Sequence, residues 1–325
     1  MTDAQVRFDG RTILVTGGGR GLGRAHALLL ASRGARVVVA DNGAAMDGED
    51  PSTAPAHAVV DEIKAAGGEA VACTADIGVE AGSNQAVEAC LGAFGRLDAI
   101  LHNASTVPDN APVERMSSHD LELVMRVNPF AGLWMARAAW PQMVRQGYGR
   151  VVLMTSAGIY GSEGNAPYAA AKAAVVGIVR CLALEGARHG VLVNAVAPAA
   201  LTRMTERLPP SDYADWFSRT MQADRVSTAV AYLLSEDLSV SGEMFHVGGG
   251  RIARVRLAES EGVLVPGGAI EDVRAAMPNV LADEGVFYPK DLNERALRVA
   301  RQLGYQGAMP AGAFTVTPLD KGQDA

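Results

Sequence analysis

Cysteine is scarce: three in 325 residues, Cys73, Cys90 and Cys181, with no Cys-x-x-Cys pair. That count excludes a disulfide framework, and each lies in an apolar stretch where a reduced, buried thiol is expected. The six histidines show no metal-ligand spacing, so no metal site is expected. Aromatic residues make up only 5%, no lysine- or arginine-rich run occurs, and the net charge is −7. Such a chain lacks the electrostatic footprint for nucleic acid or an anionic membrane surface, and neither is expected as a partner. No apolar run approaches the roughly 18 residues of a spanning helix. The first residues, Met1-Thr2-Asp3-Ala4-Gln5, lack the basic and apolar regions of a secretion signal. The cytoplasm is the expected compartment.

Hydrophobic residues are plentiful at 49%, enough for a sizeable core. Short apolar runs without alternation recur at Thr12–Val15, Arg36–Ala40, Ala70–Cys73, Leu97–Leu101, Val151–Met154 and Val191–Val196. Runs of this kind suit strands covered on both faces. Between them lie helical patterns such as Ala25–Arg33 and Ala56–Ala66. The alternation predicts an α/β fold: a Rossmann-like, doubly wound parallel sheet flanked by helices. Gly43–Pro55 reads as a loop, and Leu201–Arg225, with Pro209 and Pro210, as a mobile cover over the site. After Gly248-Gly249-Gly250 the strand–helix rhythm stops. One convincing helix follows, near Asp291–Leu303, without a second set of chemical residues. The expected organisation is a catalytic domain over 1–257 and an extension over 258–325 that packs on it or on a partner subunit.

Gly17, Arg20, Gly21, Leu22 and Gly23 fall in a glycine turn between a strand and a helix. Glycine lets backbone N–H groups approach a dinucleotide's pyrophosphate, and the helix N-terminus adds favourable charge. Asp41 closes the second strand, where a carboxylate can accept the ribose hydroxyls of NAD and repel the 2′-phosphate of NADP. NAD is therefore favoured, although Asp41 could also merely start a turn with Asn42-Gly43. Asp76 and Ile77 follow the third strand, within reach of an adenine. Asn103 follows the fourth, where its amide can tie neighbouring strands. Both polar groups also admit the plainer reading of solvated loop residues.

Tyr168 and Lys172 stand four residues apart near the start of an apolar helix, and so share a face. A phenol has a pKa of about 10, and an adjacent ammonium favours phenolate. Tyr168 can then exchange a proton with an alcohol oxygen. A hydroxyl must orient that oxygen. Ser156 at the end of the fifth strand is the choice, with Thr155 its rival. Asn128 can hold a water linking Lys172 to solvent through its amide. Its plainer reading is a helix perturbed by Pro129.

Taken in order, Thr16–Gly23, Asp76, Asn103, Asn128, Thr155-Ser156, Tyr168 and Lys172 resemble the short-chain dehydrogenase/reductase family, from residue 8 to 250. The resemblance implies an NAD(P)-dependent oxidoreductase acting on a small-molecule alcohol or ketone. It implies contacts from Pro198 and Thr202 to the nicotinamide carboxamide, and a homodimer or homotetramer. Gly158-Ile159-Tyr160-Gly161 and Phe245-His246-Val247-Gly248 are similar to 3-hydroxyacyl-CoA dehydrogenase domains within the family. That likeness implies a 3-hydroxyacyl thioester or a hydroxysteroid as substrate. Departures also occur: His102-Asn103-Ala104-Ser105 replaces Asn-Asn-Ala-Gly, Ala199 replaces a glycine, and Pro129 intrudes. Counting back from Tyr168 puts Thr155 at the family's serine position, and counting from Gly149-Arg150 puts Ser156 there. The last five residues hold no peroxisomal tripeptide. The contrasting expectation is a catalytically silent nucleotide-binding regulator of the same fold.

Overall fold

The uninterrupted apolar runs become strands because their branched side chains find cover on both faces. The computed structural model describes residues 5–45, 48–201, 209–265, 269–282 and 285–308. The chain divides into two compact units, Met1–Val255 and Arg256–Ala325.

In the first unit the strands are β1 (Thr12–Thr16), β2 (Arg36–Ala40), β3 (Glu69–Cys73), β4 (Ala99–His102), β5 (Gly149–Met154), β6 (Val191–Ala199), β7 (Met244–Gly248) and β8 (Arg251–Val255). They form one sheet in the order β3-β2-β1-β4-β5-β6-β7-β8. Seven run parallel, and β8 lies antiparallel on β7. The helices are α1 (Gly21–Ser32), α2 (Ala54–Ala65), α3 (Glu80–Phe94), α4 (Ser118–Met125), α5 (Ala131–Gln146), α6 (Ala166–Gly186), α7 (Asp212–Thr220) and α8 (Ala223–Leu234).

Alternate strand residues feed two separate cores. Ile13, Val15, Val37 and Val39 point to one, with Leu30 of α1, Ile63 of α2 and Leu234 of α8. Leu14 and Val38 point to the other, with Val87 of α3, Met135 of α5 and Val179 of α6. Each fully buried side chain of this size contributes about 1.5–3 kcal/mol. The doubly wound sheet expected from the pattern is what forms. Its order reverses between β1 and β4, and the crevice at their carboxyl ends is where such sheets take ligands.

Three local features depart from expectation. Asn128 and Pro129 lie in a wide π turn, Arg126–Phe130, that joins α4 to α5 without a break. Proline lacks an N–H and crowds the preceding turn, and a wider turn makes room for it. At the other end, Gly249 and Gly250 take φ of +59° and +86°. They return the chain as β8 where the rhythm was expected to stop. Finally, α7 occupies part of the expected cover, its start capped by the Ser211 hydroxyl, which accepts from the Ala214 N–H. Among the described residues one helix, Ala166–His189, is long and apolar enough to span a membrane. Its Val175, Val179 and Leu182 are buried in the second core. Cys73 and Cys90 are buried, whereas Cys181 on the outer face of α6 is exposed.

The second unit pairs β9 (Glu259–Ser260) with β10 (Val286–Phe287) antiparallel and adds α9 (Ile270–Val280) and α10 (Leu292–Gln302). Asp291 caps α10 by accepting from the Glu294 N–H at 2.8 Å. Arg295 pairs with Glu259 at 2.9 Å, and Arg298 lies 4.3 Å over the Phe287 ring. Neither helix buries a residue fully.

Candidate active site

β1 delivers Gly17 to the crevice, and α1 starts four residues later. A side chain at Gly23 would meet the Gly17 carbonyl at 1.9 Å, and one at Gly17 would meet Ala104 Cα at 2.8 Å. Only glycine permits this closeness. Arg20 provides α1 with no side-chain cap, and the first turn holds no acid. The backbone N–H groups there are left to an anion, which fits a dinucleotide's pyrophosphate.

Asp41 at the end of β2 accepts from Gly19 N at 2.8 Å and from Gly43 N at 2.7 Å. It therefore closes a local turn and braces the glycine loop together. Arg20 donates to the carbonyls of Gly43 and Ala44 at 3.1 and 3.4 Å. Asp76 is exposed and accepts from Gly78 N at 2.8 Å, while Ile77 and Leu22 are buried. Asn103 donates to the carbonyls of Thr16 and Gly17 at 3.2 and 3.3 Å, tying β4 to β1. Pro198 lies in β6, paired with Val247. Thr202 falls outside the described residues.

At the chemical end, α6 carries Tyr168 and Lys172 on one buried face, 7% and 2% exposed. The Lys172 ammonium donates to the Met154 carbonyl at 3.0 Å and lies 5.5 Å from the centre of the Tyr168 ring. Burial pushes the lysine down to about 7. Burial likewise raises the Tyr168 phenol, opposed by hydrogen bonding from the hydroxyls of Ser156 and Ser105. The expected acidifying influence of Lys172 is thus not what governs the phenol in this structure. Loss of hydration raises it, and the two serine hydroxyls pull the other way.

The two rival hydroxyls diverge. Thr155 is buried and donates to the Lys172 carbonyl at 2.7 Å. Ser156 accepts from Gly158 N at 3.0 Å and faces Tyr168.

Asn128 is held on three sides. Its Nδ2 donates to the Val124 carbonyl at 2.9 Å, and its Oδ1 accepts from Ser105 Oγ at 2.7 Å. Its backbone carbonyl meets His102 Nε2 at 2.8 Å. The amide expected to hold a water is therefore engaged by protein groups.

His102 and Ser105 are the residues that sequence reasoning passed over. His102 is buried, with Nδ1 2.9 Å from Thr16 Oγ1. Thr16 Oγ1 already accepts from the N–H groups of Asn103 and Ala104, both at 3.1 Å. Its own proton must then go to Nδ1, which leaves the imidazole proton on Nε2, facing Asn128. Burial, and after it the Lys172 charge, push His102 down to about 4. The one signal for both residues was the departure from Asn-Asn-Ala-Gly.

The family model for short chain dehydrogenase matches residues 11–212. Over 263 residues the chain is 41% identical to the peroxisomal hydratase-dehydrogenase-epimerase of Neurospora crassa, covering 80% of this chain and 28% of that one. The structure of full-length peroxisomal multifunctional enzyme type 2 from Drosophila melanogaster matches with a TM-score of 0.76 at 30% identity, over 92% of this chain and 50% of its own. A 7α-hydroxysteroid dehydrogenase complexed with NADH and 7-oxo glycochenodeoxycholic acid matches with a TM-score of 0.67 at 28% identity, over 75% of this chain and 95% of its own. The chain thus spans half or less of the length of the first two. Both are peroxisomal by name, which overturns the cytoplasmic expectation. That expectation rested on the lack of address signals, and a missing signal has no physical weight of its own. On the family match and these relatives, the chain belongs to the short-chain dehydrogenase family and is an oxidoreductase that works with NAD or NADP.

Proposed function

We propose that the chain is an NAD-dependent dehydrogenase interconverting a secondary alcohol and a ketone, with Tyr168 as general acid and base. The observation that carries this reading is the meeting of the Tyr168 phenol with the Ser156 hydroxyl, one helical turn from Lys172, at the sheet end that presents the glycine turn. The substrate is mainly apolar, a 3-hydroxyacyl thioester or a hydroxysteroid, in keeping with the names of the relatives.

Gly17, Arg20, Gly21, Leu22 and Gly23 would hold the pyrophosphate, and Asp41 the adenosine ribose, its negative charge favouring NAD over NADP. Asp76 and Ile77 would border the adenine, with Asn103 holding β4 against the turn. Pro198 and Thr202 would meet the carboxamide. When bound, the nicotinamide supplies the hydride acceptor or donor. Ser156 donates to the substrate oxygen, and Tyr168 takes the alcohol proton as the carbonyl forms, or returns it in reduction. Lys172 is the buried cation available to the ribose and the phenol. Asn128 fixes the turn beside them. The chain acts as a homodimer or homotetramer. Residues 1–257 carry the reaction and 258–325 serve as an accessory extension.

A panel of secondary alcohols with NAD, including a 3-hydroxyacyl thioester and a hydroxysteroid, tests this through NADH absorbance. Tyr168→Phe should abolish turnover and leave NADH binding intact. Turnover that survives the substitution defeats the assignment.

A further inference from the structure

Ser105 stands where the family pattern has a glycine, so this chain has a hydroxyl where that pattern has none. Its position follows from strand register. His102 of β4 pairs with Leu153 of β5, and three residues beyond each comes a serine, Ser105 on one side and Ser156 on the other. The adjacent parallel strands therefore release two hydroxyls at the same level of the sheet. The Tyr168 ring reaches that level from α6 and packs there against Val124 of α4.

The direction of each hydrogen bond can be assigned. The Val124 carbonyl can only accept, so the amide of Asn128 must turn Nδ2 toward it and Oδ1 toward Ser105. Ser105 then donates its proton to Oδ1 at 2.7 Å; its other contact, with the Thr106 carbonyl at 3.5 Å, is at the limit of bonding. The lone pairs of Oγ are left for a donor from the Tyr168 side. Asn128 itself cannot swing away, because Val124 holds its amide and His102 its carbonyl.

We propose that Ser105 is a positioning residue for the acid–base phenol, a reversible partner that accepts from neutral Tyr168 and turns to donate to its phenolate. The proposal rests on the reading of Tyr168 as the acid–base group. Turning gives up the bond to Asn128 Oδ1 for a charge-assisted one to the phenolate, which is the stronger of the two and favours the charged form. Ser156 is occupied with the substrate oxygen during reaction, so Ser105 is the hydroxyl left to follow the phenol through both protonation states. No bond other than O–H is made or broken.

The test is titration of the Tyr168 phenol by 13C NMR on tyrosine-labelled protein with NAD present, its resonance identified by loss in Tyr168→Phe. Ser105→Ala and Ser105→Gly should raise the midpoint by about one unit, a tenfold change in ionisation. Ser105→Thr, which keeps the hydroxyl, should restore it. In alcohol oxidation the acidic limb of the pH profile should move alkaline by the same amount with KM unchanged. A midpoint that stays put or falls in Ser105→Ala overturns the proposal. The NMR readout needs no turnover, so a failed Tyr168 assignment, seen as activity surviving in Tyr168→Phe, is told apart from a failed role for Ser105.

Discussion

The Thr155 hydroxyl donates to the backbone carbonyl of Lys172 at 2.7 Å, and the Lys172 ammonium returns to the carbonyl of Met154 at 3.0 Å. This reciprocal pair fastens the end of β5 to the first turns of α6. Thr155 is therefore a structural fastener, which in the proposed reaction leaves Ser156, beside the phenol, to meet substrate. Thr155→Val should cost about 1 kcal/mol of stability, the net worth of one buried hydrogen bond, and change kcat by less than about threefold. Ser156→Ala should also lose about 1 kcal/mol, the worth of its cap on Gly158 N, but should lower kcat by about a hundredfold, as loss of one preorganised donor does. Urea melts and turnover measured on both variants check the division of labour.

Gly23 has no room for a methyl group, since its Cβ would lie 1.9 Å from the Gly17 carbonyl. Gly23→Ala must push the glycine turn away from α1. Cofactor affinity should fall at least about tenfold, since the backbone N–H groups leave the position that suits a pyrophosphate. Calorimetric titration with NADH measures it.

Acid should destabilise the fold through two buried histidines. Burial pushes His26 down to about 3 and His102 to about 4, from an ordinary 6.5. Between those values and 6.5 the unfolded chain binds protons that the folded chain does not. Stability is therefore full above pH 6.5 and falls as the pH drops toward 4, by about 1.4 kcal/mol per unit for each group. Among the described residues neither ring nitrogen of His26 has a hydrogen-bond partner. His26→Phe should accordingly raise stability at neutral pH and roughly halve the slope between pH 6.5 and 4. Urea midpoints taken across that range decide it.

Asp98 anchors the opposite end of the sheet. Its carboxylate accepts from Thr12 N at 2.9 Å, Arg11 at 2.9 Å and Arg96 at 2.6 Å. Burial resists its charge, but these bonds prevail and hold it below the usual carboxylate value. Asp98→Ala leaves the buried Thr12 N–H without its acceptor and Arg96 without its acid, while Arg11 keeps Glu236, and should cost about 1–3 kcal/mol. NADH affinity should not change, because the site lies at the other end of the strands. Thermal melts paired with NADH titration test both halves.

Much of the fold was legible because β1 and β2 are nearly continuous branched runs that suit a sheet covered on both faces. β8 was not legible. Its Arg251, Ile252 and Arg254 are exposed edge residues with no core pattern, and only the left-handed glycines before it mark the reversal. α9 was hidden by Pro278, which argues against a helix although it stands near the end of one. Within the candidate site, the glycine turn and the Tyr168–Lys172 pair were visible because their spacing is local. Ser105 and His102 were not, because what they touch lies 23 and 26 residues away on Asn128. No periodicity reports a contact that the crossover from β4 to α5 creates.

The single neutral imidazole of His102 joins the last residue of β1, just ahead of the glycine turn, to the π turn that carries Asn128. Thr16, Asn103 and Ala104 meet at the same hydroxyl. The glycine turn and the corner that holds Asn128 and Ser105 are thereby stitched into one frame. Little conformational freedom is left there to surrender when a ligand arrives, which favours tight and geometrically selective binding.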